Sequence, residues 1–258
     1  MLQTSVHETS RREQRGLTIE LATSAADIEA AQRLRYRVFN GEMGARVTGR
    51  TAGRDEDIFD PWCEHLVVRD QASEEVVGTY RILTPDRAKR VGAFYSEGHF
   101  DLTRLAHLKP GMVEIGRACI HPDYRTGATI MLLWQGIARF MSEHGSQYLI
   151  GCASIAMDDG GANAVSVYEH AAARHLAPIE YRVRPRNPLM ERPAAAALLT
   201  AGAAPVMPPL LKGYLRVGAW IGGEPGWDPD FNTADLFLFM PIARVEARYA
   251  RHYLKAAA

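Results

Sequence analysis

The sequence predicts an α/β protein in which helices cover both faces of a central mixed β-sheet. Helical periodicity is clearest at residues 128–143. Apolar runs of strand length occupy residues 64–69, 76–83, 112–120 and 148–155. Strands that alternate with helices in this way form sheets whose two faces are both covered. Because a chain of 258 residues can bury a sizeable core, we expect one large domain.

Composition argues against several classes of function. Thirty Lys and Arg residues balance thirty Asp and Glu residues, so the overall charge gives no sign of nucleic-acid binding. Cys63, Cys119 and Cys152 are far apart and show no metal-ligand spacing, so we expect reduced thiols and no metal. No apolar run approaches the ~20 residues that span a bilayer. We therefore predict a cytoplasmic protein, peripheral on the inner membrane at most.

The N-terminal part divides into a tail, a strand, a helix and a loop. Residues 1–16 contain three arginines but no apolar stretch, which indicates a disordered tail before a domain at 17–258. Alternation at residues 17–22 predicts the first strand, and Ser24 is suited to cap a helix that ends near residue 41. The long polar loop at residues 44–60 is of a kind that often carries function.

The pattern is weaker in the rest of the chain. Residues 84–109 show only a short strand or helix near 99–105. Asn163 is placed to cap a helix that ends near His175. Late strands are predicted at residues 215–221 and 234–240.

Two further segments are expected outside the sheet. Residues 185–209 are rich in Pro and Ala and predict an insertion, with a helical piece between Pro193 and Pro205. Pro241 is expected to open a final basic helix, where proline is favoured.

The segment from Glu114 to Thr129 carries the clearest chemical signal. A strand presents Glu114 and Arg117, a turn follows at Pro122, and a helix then begins. A carboxylate can accept a proton, and a helix N-terminus attracts anionic groups. These parts suit a site that holds a phosphate-bearing donor and moves a proton.

The motifs resemble those of the GNAT acyltransferase superfamily. Within it, motifs similar to those of acyl-homoserine-lactone synthases stand at residues 35–39, 57–60, 78–81 and 114–117. Motifs that look most like the L-ornithine N-acyltransferases of ornithine-lipid synthesis stand at residues 121–134, 212–216 and 227–232. This resemblance extends over about residues 17–254. It implies a GNAT fold and transfer of a 3-hydroxyacyl chain from acyl carrier protein to the α-amine of L-ornithine, giving lyso-ornithine lipid, the first step of ornithine lipid synthesis.

The resemblance also suggests roles for individual residues. Glu114 is our choice for the base, because the attacking amine must lose a proton. Arg117 and Arg81 would orient this glutamate or bind the acceptor carboxylate in a bidentate fork. The acceptor-binding set comprises Asp57, Asp60, Arg81, Arg35 and Asp230, with the aspartates facing the cationic ornithine. Asp228 and Asn232 belong to the same polar cluster as Asp230.

Each assignment has a structural alternative. Glu114 would simply pair with Arg117 or Arg81, and these arginines would form a salt bridge at the sheet end. Asp57 and Asp60 would be a solvated acidic loop, and the cluster around Asp230 an ordinary turn. His121, before a proline, is expected to cap the backbone.

The donor side is assigned to Ile120, Arg125, Thr126 and Gly127. The usual GNAT loop brings several small residues close to the diphosphate of coenzyme A, whereas this loop has one displaced glycine. The difference favours the single phosphate of a carrier-protein phosphopantetheine arm, and coenzyme A stays open. No nucleophile motif supports an acyl-enzyme, so direct transfer without a separate cofactor is expected, with the acyl-carrier thioester as co-substrate.

Two basic clusters would receive the acidic carrier protein. They comprise Arg182, Arg184, Arg186 and Arg192, and Arg244, Arg248, Arg251 and Lys255. The final helix would alternatively rest on anionic lipid. A tunnel for the acyl chain is expected between residues 112–120 and 148–155, lined in part by Leu133 and Trp134.

Three other functions stay open. The chain could be an acyl-homoserine-lactone synthase using S-adenosylmethionine, or an N-acyltransferase for another amino acid. It could also be a non-catalytic protein that binds a carrier or a lipid on a GNAT scaffold.

Overall fold

A mixed eight-stranded sheet forms the centre of the computed structural model, which describes residues 16–42, 44–46, 49–191 and 204–245. Within these residues the strand order is β1-β2-β3-β5-β6-β10-β8, and β9 pairs with β10. The strands are β1 (Leu17–Leu21), β2 (Glu64–Asp70), β3 (Val76–Leu83), β4 (Phe100–Asp101), β5 (Met112–Ile120), β6 (Tyr148–Ala156), β7 (Arg184–Pro185), β8 (Trp220–Ile221), β9 (Gly226–Asp228) and β10 (Thr233–Pro241). The pair β5–β6 is parallel, and β4 and β7 form a separate small sheet.

Helices cover both faces of this sheet, as predicted. They are α1 (Ala25–Gly41), α2 (Pro85–Val91), α3 (Gly127–Glu143), α4 (Ala162–His175) and α5 (Pro209–Val217). One face packs against α3, α4 and α5 in the largest hydrophobic cluster. The opposite face packs against α1 at one end and against the segment containing α2 and the 3₁₀ turns Tyr95–Gly98 and Thr103–Gly111 at the other.

Local signals account for the elements that the sequence predicted well. Ser24 and Asp27 form a reciprocal capping box at the start of α1, which satisfies donors of its first turn. Thr126 accepts a hydrogen bond from the Thr129 N–H and caps α3. Strand β5 occupies the predicted residues 112–120. The helix α2, which begins at Pro85, was not predicted, because it lies in the segment that had no clear pattern.

Three predictions of secondary structure are wrong. Residues 215–221 are mainly the end of α5, because Pro209 starts a helix whose apolar residues repeat at helical spacing, and only Trp220–Ile221 is a strand. Asn163 does not cap α4: its side chain bonds Val206, and Gly161 stands at the cap. Pro241 does not open a helix: it ends β10 and is followed by a 3₁₀ turn, Ile242–Arg244.

Some predicted segments lie outside the described residues. These are the N-terminal tail up to residue 15, most of the helical piece between Pro193 and Pro205, and the final basic helix beyond residue 245.

The sheet opens between β5 and β6. Their pairing is confined to Met112–Glu114 against Tyr148–Ile150, and the strands separate beyond it. Gly151 lies at the point of separation, where a side chain would meet the carbonyl oxygen of Ile115. The two strands therefore begin to separate next to Glu114, between the segments where the acyl tunnel was predicted.

Strand register brings polar side chains from different strands to one face of the sheet. In the β2–β3 pair, His65 lies opposite Arg81. In the β3–β5 pair, Leu83, two residues after Arg81, lies opposite Glu114. Across the parallel pair, Glu114 is opposite Ile150, two residues before Cys152, and Asp235 is opposite Ser154. Side chains two apart point to the same side of a strand. A band of polar groups therefore crosses the face covered by α1 and α2.

Candidate active site

Glu114 is held by backbone and hydroxyl donors of the neighbouring 3₁₀ turn. Its carboxylate accepts hydrogen bonds from the Tyr95 N–H at 2.6 Å, from the Ser96 N–H at 2.8 Å and from the Ser96 hydroxyl. Within the described residues it forms no ion pair with Arg117 or Arg81, which was the structural alternative. Burial raises the pKa of Glu114, although the bonds from Ser96 and Tyr95 oppose the rise. A raised pKa makes a carboxylate a stronger base.

Glu114 lines a cavity of about 220 Å³ at the opening of the sheet. The walls come from β5 at Gly116 and Ala118, from β6 at Cys152 and Ser154, and from aromatic rings that include Tyr95. Such a mixed lining with few polar groups is typical of a small-molecule site.

The arginines and aspartates of the predicted acceptor set form a buried ion-pair network beside this cavity. Arg35 is fully buried and bonds Asp55 and Asp60, each at 2.7 Å. Arg81 bonds Asp57 at 2.6 Å and lies 3.3 Å from Asp60. Each of these carboxylates therefore has a guanidinium partner from the protein itself.

Asp60 is the most constrained member of the network. Burial alone would raise its pKa, but the charges of Arg35 and Arg81 outweigh this effect and lower the pKa to about 2. The buried imidazole of His65 lies against the Asp60 carbonyl oxygen, with its Nε2 at 3.1 Å. Asp60 is thus ionised at neutral pH and holds the loop before β2 in place.

Arg117 stands at an irregular position of β5 and faces the cavity. Its φ of 52° is left-handed, and the β3–β5 register shifts close by. The guanidinium lies 4.9 Å from the Tyr95 ring centre and 4.6 Å from that of Phe231, with Asp55 and Asp57 within 3.3 Å. Burial lowers its pKa, but Tyr95 and the two aspartates reverse this, so Arg117 remains cationic. It is suited to bind a carboxylate.

The other predicted acceptor residues differ in their distance from the cavity. Arg81 lines it and joins Arg117 through the shared partner Asp57, whose side chain is 23% exposed. Asp230 is exposed, is not among the cavity-lining residues, and accepts the Arg46 N–H with its carbonyl oxygen. The structure therefore brings together Arg35, Asp57, Asp60 and Arg81, but not Asp230.

The predicted donor residues lie where β5 ends and α3 begins. Ile120 is the last residue of β5, Thr126 caps α3, and Gly127 is its first residue. Arg125 is half exposed and bonds Glu42 at 2.6 Å. None of these four lines the 220 Å³ cavity, so their role in donor binding stays a prediction.

The turn before α3 includes His121, which was expected to cap the backbone. Its Nδ1 accepts the Asp123 N–H at 3.4 Å, which confirms that expectation.

Apolar space continues from the cavity to the other face of the sheet. A cavity of about 40 Å³ shares Gly116, Arg117 and Cys152 with it and is lined by Leu149 and Met240. Those last two residues also line a third cavity of about 340 Å³. Of the two residues predicted to line the tunnel, Trp134 lines the third cavity. Leu133 is buried and lines none of the three cavities.

Sequence reasoning missed several residues at the site. Asp55 joins Arg35 to Arg117, and Ser96 holds Glu114 from a segment that had no clear pattern. Asp235 is buried and lines the cavity together with Asp228. One signal was available for Asp235, because it is the only charged residue in the apolar strand β10.

Among the described residues, one group has a spacing that could hold a cation. His99, Asp228 and Asp235 each offer an atom within 4.8 Å of the others.

The chain is similar to known acyltransferases over most of its length. A family profile, described as an acetyltransferase (GNAT) domain, matches residues 34–135. An L-ornithine N(alpha)-acyltransferase of Brucella abortus (strain 2308) is 39% identical over 92% of this chain and 88% of its own. Another of the same name, from Rhizobium meliloti (strain 1021), is 38% identical over 92% and 84%.

Solved structures agree with the fold. The acyl-homoserine-lactone synthase LasI superposes with a TM-score of 0.53 at 12% identity, covering 93% of this chain and 95% of its own. TofI, solved with an inhibitor and MTA, gives a TM-score of 0.52 at 15% identity over 94% and 98%. At such identities the likeness concerns the fold alone. No helix in the described part of the chain has both the length and the apolar character to cross a membrane.

Proposed function

Since the chain belongs to the L-ornithine N(alpha)-acyltransferases, enzymes with the GNAT fold, we propose that it moves a 3-hydroxyacyl chain from acyl carrier protein to the α-amine of L-ornithine. The product would be lyso-ornithine lipid, the first intermediate of ornithine lipid synthesis. The observation that carries the chemistry is a buried glutamate with a raised pKa, facing a cavity at the opening of the sheet.

Glu114 acts as the base in this proposal. The neutral amine attacks the thioester carbonyl, so a C–N bond forms, the C–S bond breaks and the amine loses a proton. Glu114 takes this proton directly or through one water molecule and then passes it to the departing thiolate of the pantetheine arm, so that no proton is gained or lost overall. Ser96 and Tyr95 fix the carboxylate by three hydrogen bonds, which supports accurate positioning.

The acceptor carboxylate is assigned to Arg117. This guanidinium lines the cavity. Asp57 and Asp60, which were predicted to face the cationic ornithine, already bind protein arginines. We therefore give the ion-pair network the role of holding Arg117 and Arg81 in place. Arg35 belongs to the same support, because it is fully buried behind Asp55 and Asp60.

The donor is proposed to enter where β5 and β6 separate. Residues of β5 beyond Glu114 have no partner in β6, so their N–H groups on that side are available for a thioester oxygen. The acyl tail would continue into the apolar cavities bounded by Leu149 and Met240. Arg125 and the start of α3 would face the phosphate of the arm.

Carrier-protein docking is proposed for the basic residues around β7. Arg184 and Arg186 are exposed, whereas Arg182 is partly buried. Arg182 donates to the Ala177 carbonyl oxygen and Arg186 to the Glu97 carbonyl oxygen. Arg192 and the basic residues at 248–255 lie outside the described residues, as does any lipid contact that they would make.

Acyl transfer by purified protein tests the proposal. The protein is mixed with L-ornithine and 3-hydroxyacyl carrier protein, thiol release is followed, and the product is identified by mass spectrometry. We expect Nα-acyl-ornithine and equal release of carrier thiol. Thiol release no greater than without enzyme would contradict the proposal. A parallel reaction with the same acyl chain on coenzyme A decides the donor.

A further inference from the structure

The cavity that contains Glu114 also has an acidic wall. Asp228 and Asp235 both line it, and they are only 4% and 3% exposed. They come from paired strands, because β9 places Asp228 opposite Thr233, two residues before Asp235 on β10. Two buried carboxylates therefore face the same space.

This pair differs from the other carboxylates at the site. Asp55, Asp57 and Asp60 each form an ion pair with an arginine, whereas no lysine or arginine of the described ranges pairs with Asp228 or Asp235. The nearest basic group is the His99 Nδ1, 4.0 Å from Asp228. Buried carboxylates without a cationic partner are costly, and a cationic ligand would offset that cost.

The polar contacts of the pair leave room for such a ligand. One oxygen of Asp228 accepts the N–H groups of Asp230 and Phe231, which fixes its orientation. Asp235 accepts a hydrogen bond from the Thr233 hydroxyl at 3.1 Å. Burial, and to a smaller extent the Asp228 charge, raises the pKa of Asp235, which a neighbouring cation would reverse.

The pair and the base surround one side chain. Cys152 lies on β6 between them, and its pKa is raised first by burial and then by the charges of Asp235, Glu114 and Asp228. An acceptor bound over Cys152 would thus have a proton acceptor on one side and an acidic pair on the other.

We propose that Asp228 and Asp235 bind the side-chain ammonium of a dibasic amino acid and so select the acceptor. The inference rests on the proposed function. The α-carboxylate is assigned to Arg117 and the reacting α-amine to Glu114, so the distal ammonium reaches the acidic wall. The selected class is an amino acid with a second amine at the end of a short side chain.

The test compares L-ornithine with L-norvaline, which has the same carbon chain without the terminal amine. For the wild-type protein we expect kcat/KM to favour ornithine by about 100-fold or more, because a site built for a polar group rejects an analogue that lacks it. In Asp235→Asn this preference should fall at least about tenfold, mainly through a higher KM for ornithine. Transfer to norvaline should stay within about threefold of wild type, which also shows that the variant folds.

Two comparison variants sharpen the result. Asp230→Asn tests the exposed neighbour that the sequence suggested, and its preference for ornithine should stay unchanged. Asp123→Asn serves as the control, because the Asp123 side chain is 84% exposed in the turn before α3. If Asp230→Asn loses the preference and Asp235→Asn keeps it, the assignment is overturned.

Other outcomes also decide the matter. A wild-type protein that acylates ornithine and norvaline equally well refutes this inference alone, whereas no transfer to either refutes the proposed function. Loss of norvaline transfer in Asp235→Asn would assign the pair to the fold or the chemistry and overturn its role in selection. Treatment with EDTA should leave the wild-type rate unchanged; loss restored by a divalent metal would make the cluster a metal site instead.

Discussion

Replacing Asp60 by Asn tests the ion-pair network that supports the site. Asn resembles the protonated acid, so the cost follows from the difference between the ordinary pKa of 3.8 and the folded value of about 2. At 1.36 kcal/mol for each pH unit, this is about 2–3 kcal/mol of unfolding free energy at neutral pH. The loss should stay below or at the lower end of the ~3–5 kcal/mol expected for breaking a buried pair, because Asp55 and Asp57 still bind the two arginines.

The pH dependence provides a second reading of the same change. Because folding lowers the pKa of Asp60, its contribution is present above the unfolded value and is lost as the pH falls towards about 2. The difference between wild type and Asp60→Asn should shrink from about 2–3 kcal/mol near pH 7 to about 1 kcal/mol near pH 3.

Urea unfolding followed by circular dichroism measures both quantities, with the exposed Asp123→Asn as a control that stays within about 0.5 kcal/mol of wild type. A loss below about 1 kcal/mol at neutral pH, or a difference that does not depend on pH, would refute the assignment of Asp60 to a stabilising network.

Two further changes probe the opening of the sheet and its far side. Gly151→Ala should destabilise the protein by about 1–3 kcal/mol in thermal unfolding, because the new methyl group meets the Ile115 carbonyl oxygen. Gly116→Ala serves as the control, since its methyl group meets no atom within 4 Å. Equal stability of the two variants would contradict the close approach of β5 and β6. Tyr80→Phe and Tyr214→Phe each break the 2.8 Å bond between the two buried hydroxyls and should cost about 1–3 kcal/mol, and the double variant should lose clearly less than the sum in a urea double-mutant cycle. Additive losses would show that the two hydroxyls do not interact.

Local sequence signals were enough for most of the fold. The capping box of Ser24 and Asp27, the apolar run of β5 and the periodicity of α3 are each encoded within a few residues. The prediction failed where two local patterns compete, as in residues 215–221, whose apolar residues fit a strand as well as the end of α5.

The site could be predicted only in part from the sequence, because it depends on the register of strands that are far apart along the chain. Glu114 and Arg117 stand out in one strand, but Ser96 reaches Glu114 from a segment without pattern, and Asp235 reaches the cavity only because β10 pairs with β6 in the observed register. A shift by one residue would turn Asp235 to the opposite face. The sequence alone also left open whether Asp57 and Asp60 face a ligand or protein arginines.

The central claim is that the Glu114 carboxylate removes a proton from the attacking amine. The most direct measurement is the rate of acyl transfer to ornithine by Glu114→Gln, compared with Ser96→Ala, which keeps the carboxylate but removes one of its hydrogen bonds. We predict a fall in kcat of about 10²–10⁴-fold for Glu114→Gln, with partial recovery at higher pH where the amine is already neutral, and a loss below about tenfold for Ser96→Ala. A folded Glu114→Gln protein that transfers acyl chains at close to the wild-type rate would contradict the account.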